Sequence, residues 1–437
     1  MPHVSRLPTP VLAALAALAV LAVSVVVLTL MRNSSPAASD AAPTTAIPRT
    51  TEGTIAQAQA TLADDPDRLS ALNALAGASL DRARQTGDPS WNTTAGEAAE
   101  RALEVDPKSF DALDVMGTLA LTRHEFRDAL VWARRSLAVA PARVAPLGVR
   151  ADALIELGRY RDGFATIDRR IELRPDLPSY SRASYARELQ GDRVSAIALM
   201  GLAVDVGGPG TESRAWTRVQ LGLLRFGGGD LDGAEREMRR ALSERPGDAR
   251  ATAGLAKVLA ARGRPDRAAA LYSRAIDRVP LPEYPAALAE IHLAQGDAAA
   301  AREDLALVGV MQKLLAANGS NVDLDISAID ADFRTPGAAD IARARRGRAA
   351  RPGVIGDQVL GWVLTRAGRC AEGDRLATRS LRLGTRDALM LFQAGMAASC
   401  AGHTDAARQR LSAALALNPA FSVRWAPVAR RELARLS

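Results

Sequence analysis

Aromatic residues, lysine, cysteine and histidine are scarce in this chain of 437 residues, and these shortages exclude several classes of protein. Aromatic residues make up 4%, which is low for a β-sandwich or β-barrel, whereas alanine, leucine and arginine are abundant, as in helical proteins. Two cysteines and four histidines exclude a multi-bridge disulfide scaffold and a cysteine-rich metal domain. Hydrophobic residues at 48% and charged residues at 24% exclude wholesale disorder.

The formal charge of +7 resembles that of a nucleic-acid-binding protein, but the kind of basic residue argues against this. Only Lys108, Lys257 and Lys313 are lysines, so the arginine excess reflects a GC-rich coding genome more than selection for phosphate contacts. The densest basic run, residues 342–351, has no interleaved aromatic residue and is typical of a solvated helix. We therefore predict no nucleic-acid partner.

Motifs for catalysis, cofactors and metals are missing from the sequence. The four histidines lack the spacing of a metalloprotease site, and no serine or cysteine nucleophile motif occurs. Glycine clusters at 207–210 and 227–229 follow predicted helices, not strands, so a dinucleotide loop is not indicated. The four aspartates within 323–332 lack calcium-loop spacing. We predict no enzyme, no cofactor and no metal site.

The segment Val11–Leu30 is a run of twenty residues without charge. As a helix it would be about 30 Å long, which matches the hydrocarbon thickness of a bilayer. The sequence therefore predicts a flank at 1–10, a transmembrane signal-anchor helix at 11–31 in the lipid bilayer, and a flexible Ser, Thr, Ala and Pro-rich linker at 32–52.

An N-terminal anchor of this kind most often leaves the following chain outside the cytoplasm. We expect a single-pass protein of the cell membrane, with the rest of the chain extracytoplasmic. Small residues at Ser35–Ala37 and Ser39–Ala41 leave open secretion after cleavage near 37–41. A buried core helix at 11–30 and a cytoplasmic location also remain as alternatives.

A period of 34 residues runs through the remainder of the chain. It separates prolines that close predicted helices, and such periodicity indicates stacked supersecondary units. The prolines at this interval are Pro107, Pro141, Pro175 and Pro209, and then Pro246 and Pro280.

Each unit has the pattern of two amphipathic helices around a turn, closed by proline. One unit, Ala249–Pro280, carries this pattern at Leu255, Ala256, Gly263, Ala268, Tyr272, Ala275 and Pro280. In this it resembles the tetratricopeptide repeat. The resemblance implies an all-α fold, a right-handed superhelical solenoid of antiparallel helix pairs over 53–437. It implies about nine to ten repeats, irregular near 308–335, with a capping helix at 421–437.

The resemblance also implies a concave groove, lined by the first helix of each pair, that binds a segment of another protein. In register, the predicted wall comprises Asp114, Thr118, Asp152, Tyr185, Trp216, Lys257, Trp362, Phe392 and Gln393. An exposed aromatic residue there would anchor a peptide. The alternative is that Trp216, Trp362 and Phe392 fill gaps between neighbouring first helices. No clamp of lysine and asparagine that would bind an acidic C-terminal tail is recognisable.

Cys370 and Cys400 fall at the same turn edge of neighbouring units, Cys370 opening a second helix and Cys400 closing the next first helix. An oxidising compartment would allow a disulfide between them, whereas a cytosolic chain would keep two thiols.

Two functions follow from these observations. The first is a membrane-tethered scaffold that binds a partner peptide or protein in its concave groove, in the assembly or regulation of an envelope complex. The alternative is a secreted or membrane-attached accessory with a ligand or enzymatic site in the irregular segment 308–335.

Overall fold

A computed structural model describes residues 50–437. The flank at 1–10, the predicted anchor at 11–31 and the linker up to residue 49 lie outside these residues. Within residues 50–437, none of the helices is both long enough and apolar enough to cross a bilayer.

Residues 50–437 form 22 α-helices joined by short turns. In chain order these are α1 Thr51–Asp64, α2 Leu69–Thr86, α3 Ser90–Val105, α4 Phe110–Thr122, α5 Phe126–Val139, α6 Ala145–Glu156, α7 Tyr160–Leu173, α8 Leu177–Leu189, α9 Arg193–Val206, α10 Glu212–Gly227, α11 Leu231–Glu244, α12 Ala249–Ala261, α13 Pro265–Arg278, α14 Glu283–Gln295, α15 Ala298–Ala317, α16 Asp323–Phe333, α17 Ala338–Ala350, α18 Val354–Arg366, α19 Cys370–Ser380, α20 Ala388–Cys400, α21 Thr404–Leu417 and α22 Trp425–Leu436.

The helices pack as consecutive pairs. From α2 to α21 each even-numbered helix packs on the helix that follows it, while α1 packs on α2 and α22 covers α20 and α21. Small residues allow the helices of a pair to touch. A methyl group at Gly395 on α20 would lie 2.7 Å from Leu411 Cγ on α21, so a larger residue would separate the pair. The predicted all-α arrangement of stacked helix pairs is confirmed for these residues.

The stack is interrupted between α15 and α16. Helix α15 has 20 residues and packs on α14, but makes no extensive contact with α16, which packs on α17 and α18. Because no first helix covers the end of α15, Val310 and Leu314 stay exposed there. We call α1–α15 the first stack and α16–α22 the second stack. The repeat pattern was predicted to be irregular near 308–335, where α15 extends to Ala317 and α16 spans Asp323–Phe333.

A row of contacts, here called the seam, joins the two stacks edge to edge. Asn418 Nδ2 donates to the carbonyl oxygen of Phe226 at 2.7 Å, and Thr385 Oγ1 donates to that of Leu189 at 2.6 Å. Five side-chain hydrogen bonds of the seam join residues 192 to 197 positions apart, which is between five and six repeats. Further seam contacts join Asn321 to Arg123, Val354 to Tyr160, and Arg351 to Glu156.

The seam encloses the groove of the solenoid. Turns between first and second helices in the first stack meet loops that lead into first helices of the second stack, so the gap between successive superhelical turns is closed along this row. The first helices of both stacks therefore face a common interior, which we call the lumen.

Candidate binding cavity in the lumen

A cavity of about 580 Å³ lies in the lumen beside the interruption of the stack. Helices α10, α12 and α14 of the first stack form one wall. Helix α16, residue Leu389 of α20 and the segment 420–425 of the second stack form the other. Aromatic side chains from both walls line it: Trp216, Phe226, Tyr272, Tyr284, Phe333, Phe421 and Trp425.

Three carboxyl groups line this cavity, Glu283 and Glu290 on α14 and Asp332 on α16, and the last two accept hydrogen bonds from neutral donors. Trp362 Nε1 donates to Asp332 Oδ1 at 2.9 Å, and Ser422 Oγ donates to Glu290 Oε2 at 3.3 Å. Burial, followed by the charge of Asp332, raises the pKa of Glu290 to about 7. Burial raises the pKa of Asp332 to about 6. Both groups therefore titrate near neutral pH.

Cationic side chains at the cavity stack on aromatic rings. Lys257 Nζ lies 5.1 Å from the centre of the Phe226 ring. The guanidinium of Arg424 lies 4.6 Å from the centre of the Trp425 ring and 5.1 Å from that of Phe333. Burial lowers the pKa of Arg424. The cavity thus combines aromatic walls with charges of both signs, which suits binding of a polypeptide segment or a charged organic ligand.

Comparison with known proteins identifies the repeat. Residues 226–291, which contain α11–α13 and most of α14, match the sequence profile of the tetratricopeptide repeat. Residues 226–291 are therefore similar to tetratricopeptide repeats. No curated protein matches the chain.

Several solved structures are similar to the array at low sequence identity. A tetratricopeptide repeat protein from Parabacteroides merdae is 18% identical, over 56% of this chain and 98% of that one, with a TM-score of 0.39. A chain of the APC/C hetero-tetramer Cut9–Hcn1 is 17% identical over 89% and 84%, with a TM-score of 0.37. The human IFIT1 dimer with PPP-AAAA is 14% identical over 84% and 90%, with a TM-score of 0.45.

Two residues of the predicted wall of the tetratricopeptide array meet in the cavity. Trp216 on α10 and Lys257 on α12 both line it, and both are accessible from the lumen. They lie on alternate helices of the first stack, as the register of the repeat implies.

The prediction that Trp362, Phe392 and Gln393 are accessible on the wall is wrong. Trp362 is 3% exposed and Phe392 is fully buried. With Phe421 and Trp425 they form an aromatic cluster whose neighbouring ring centres lie 5.5 to 5.8 Å apart. Gln393 is also buried and accepts a hydrogen bond from Gln358 at 3.0 Å. The return of α22 across the first helices of the second stack covers these side chains.

The remaining predicted wall residues lie away from the cavity. Asp114 accepts hydrogen bonds from Ser136 at 2.6 Å and Arg143 at 2.8 Å, and Asp152 pairs with Arg182 at 2.8 Å. Both carboxylates are therefore engaged within the array. Thr118 is exposed and donates to the carbonyl of Asp114, and Tyr185 is half-buried against a core cluster of α6–α8.

Cys370 and Cys400 are joined by a disulfide, with Cα atoms 5.2 Å apart. As the sequence analysis expected, Cys370 begins α19 and Cys400 ends α20. The bond ties together the last two complete helix pairs of the array.

Two aspartates of the acidic run, Asp323 and Asp330, form ion pairs with the basic run in the second stack. Arg346 pairs with Asp323 at 3.0 Å, and Arg343 pairs with Asp330 and Asp340. No set of three or more histidine, cysteine or acidic side chains in residues 50–437 could hold a metal ion.

Glu290 and Asp332 were not identified as cavity residues from the sequence, although the position of Glu290 in its repeat could have indicated it. Glu290 follows Ala289 on α14 as Lys257 follows Ala256 on α12, so the same register would have placed Glu290 on the lumen wall. Asp332 was grouped with the loop aspartates, because the interrupted repeat left α16 without a recognisable register.

Proposed function

We propose that this chain is a non-catalytic interaction scaffold that binds a polypeptide segment of a partner protein in its lumen. The observation that supports it is the cavity in which aromatic residues of both stacks remain accessible, including Trp216 and Phe333. Large aromatic side chains that line a concave site are typical anchors for a partner's side chains. Rigid helix pairs hold these anchors in place before binding, which lowers the entropy cost of association.

We further propose that the scaffold is tethered to the cell membrane. The uncharged run at 11–30 is long enough to span a bilayer, and about twenty residues of linker precede α1. The disulfide between Cys370 and Cys400 supports an extracytoplasmic location, because disulfides persist in oxidising compartments. In this setting the scaffold would serve assembly or regulation of an envelope complex.

A second candidate function is capture of a small organic ligand by an accessory protein. It rests on one observation: α16, in the segment 308–335, lines a cavity of about 580 Å³. This volume is within the range of small-molecule sites.

Photo-crosslinking in the native cell distinguishes the two candidates. A benzophenone amino acid in place of Trp216 should crosslink to a partner polypeptide, because that side chain borders the cavity. The matched control is the same amino acid in place of Val194, which is 81% exposed on α9. Equal adducts at both positions, or none at position 216, would contradict binding in the lumen. An added mass below about 1 kDa on the native protein, typical of drug-sized ligands, would favour the second candidate.

A further inference from the structure

We propose that the segment bound in the lumen inserts a basic side chain, arginine or lysine, between Glu290 and Asp332. This inference rests on the proposed function and adds the chemistry of the partner. A segment with a basic residue flanked by apolar residues would match both the two carboxylates and the aromatic walls of the cavity.

Glu290 and Asp332 are half-buried and have no arginine at ion-pair distance, unlike the fully buried carboxylates of residues 50–437. The four buried carboxylates in residues 50–437 all form ion pairs with arginine. They are Glu237 with Arg218, Asp340 with Arg334, Asp357 with Arg348 and Asp374 with Arg410, at 2.5 to 2.9 Å. Within the same residues, neither Glu290 nor Asp332 has a cation within 4.0 Å; each accepts a hydrogen bond from a neutral donor instead.

The free energy of the two ionised carboxylates also favours a bound cation. Partial burial away from water raises the free energy of an ionised carboxylate, and the raised pKa values of Glu290 and Asp332 reflect this cost. An incoming guanidinium or ammonium would restore a favourable charge environment to both groups. Because solvent screens half-buried charges less than exposed ones, such a cation would be held more strongly than in an exposed ion pair.

Nearby cations of the chain are engaged elsewhere. Arg424 and Lys257 stack on aromatic rings, and Arg366 donates its Nε–H to the carbonyl of Ala331 at 3.0 Å. Arg250 lies 3.6 Å from Glu212. A third cavity carboxylate, Glu283, has its pKa raised by burial. The lining therefore does not neutralise Glu290 and Asp332 through direct ion pairs.

The aromatic walls favour a basic side chain, over a metal ion or a proton, as the group that neutralises Glu290 and Asp332. Trp216, a half-buried residue of the cavity, offers a ring against which an aliphatic stem can pack and on which a guanidinium can stack, whereas Phe333 and Trp425 already carry Arg424. No group of three or more histidine, cysteine or acidic side chains in residues 50–437 could hold a metal ion, and the two carboxylates are among these residues.

The experiment is selection of a random displayed dodecapeptide library on the full-length chain in detergent. Sequences enriched on the wild type should contain arginine or lysine between apolar residues. Replacing that basic residue by norleucine in a synthetic peptide should weaken binding at least about tenfold, as should Glu290→Gln with Asp332→Asn. These amides keep the acceptors for Ser422 and Trp362. The control is Asp205→Asn with Glu303→Gln, both exposed, with affinity within about twofold.

Proton release gives a second readout. Binding a cation lowers the pKa of Glu290 and Asp332, so the wild type should release protons at pH 7 and the double variant should not. Titration calorimetry in two buffers of different ionisation enthalpy measures this directly.

The outcomes separate the two proposals. Enriched peptides that are acidic, that lack a basic residue, or that bind the double variant equally well would overturn this inference. If such peptides still crosslink at position 216, binding in the lumen stands. Failure to enrich any peptide, or crosslinking only at position 194, would overturn the proposed function as well.

Discussion

The two stacks of the solenoid are stabilised in different ways. Alanine and leucine dominate the first stack, in which no disulfide occurs within residues 50–317 and the last helix ends with exposed Val310 and Leu314. The second stack is shorter but contains a disulfide, a cluster of four large aromatic residues and three arginine-paired buried aspartates. From this difference we infer that a short array, which has fewer neighbouring repeats to support it, relies more on specific cross-links.

The largest expected difference between the stacks concerns Phe392, the fully buried centre of the aromatic cluster. Phe392→Ala should lower the free energy of unfolding of the second stack by about 3–5 kcal/mol, because it removes a large ring and leaves a cavity. Hydrogen exchange should show lost protection in α16–α22 and retained protection in α4–α9. Val194→Ala, at an exposed site, serves as the control. Equal loss of protection in both stacks would mean that they unfold as one unit.

The disulfide should give the next largest effect. Changing both Cys370 and Cys400 to serine should lower the free energy of unfolding of the second stack by about 3–4 kcal/mol, because it frees a loop of 30 residues in the unfolded chain. Chemical denaturation followed by hydrogen exchange of α16–α22 measures the change. The reduced wild type should behave like the double variant; a difference between them would point to damage by the serine side chains.

The seam should contribute less than either cross-link. Thr385→Val should cost about 1–3 kcal/mol, because it leaves the buried carbonyl of Leu189 without its hydrogen bond. Small-angle scattering should show a larger radius of gyration if this weakens closure of the lumen. Thr404→Val, at the exposed start of α21, is the matched control. An unchanged radius with unchanged stability would show that the stacks associate without the seam.

The smallest effect should come from pH at the seam pair His124 and Asp325, whose Nδ1 and Oδ2 atoms lie 3.4 Å apart. Burial opposes the charge of each group, but their mutual hydrogen bond prevails, raising the pKa of His124 and lowering that of Asp325. The contribution of His124 to the free energy of unfolding is complete below its unfolded-state pKa of about 6.5. It is lost as the pH rises through the folded-state pKa. The aspartate contribution is present above about 3.9 and is lost as pH falls through its folded pKa.

Denaturation of wild type and His124→Asn at several pH values measures this contribution. Asparagine tolerates the left-handed backbone of residue 124, whose φ is 60°. The free energy of unfolding of the wild type should exceed that of the variant most between about pH 4 and 6.5. This is the interval between the ordinary pKa values of aspartate and histidine. A difference that instead grows above pH 8 would contradict the assignment of the proton.

The helix pairs were predictable from the sequence because their signals are local. Proline at the end of a second helix and small residues at the helix crossing recur with the 34-residue period, so Trp216 and Lys257 were correctly placed on first helices. The tertiary features were not predictable in this way. Contacts of the seam such as those of His124, Arg351, Thr385 and Asn418 join residues 192 to 197 positions apart and follow no repeat signature. Phe392 is buried because α22 packs back over the first helices of the second stack. The 34-residue pattern does not predict this packing.

Closure of the seam has a topological consequence for any partner bound inside. A segment in an open groove can be laid in sideways, whereas a segment in this lumen must enter through an end of the superhelix or wait for the seam to separate. A partner with folded domains on both sides of the bound segment could not slide out of the lumen, because the domains are larger than its ends. It would be loaded before its domains fold, or retained afterwards for as long as hydrogen bonds such as those of Thr385 and Asn418 hold.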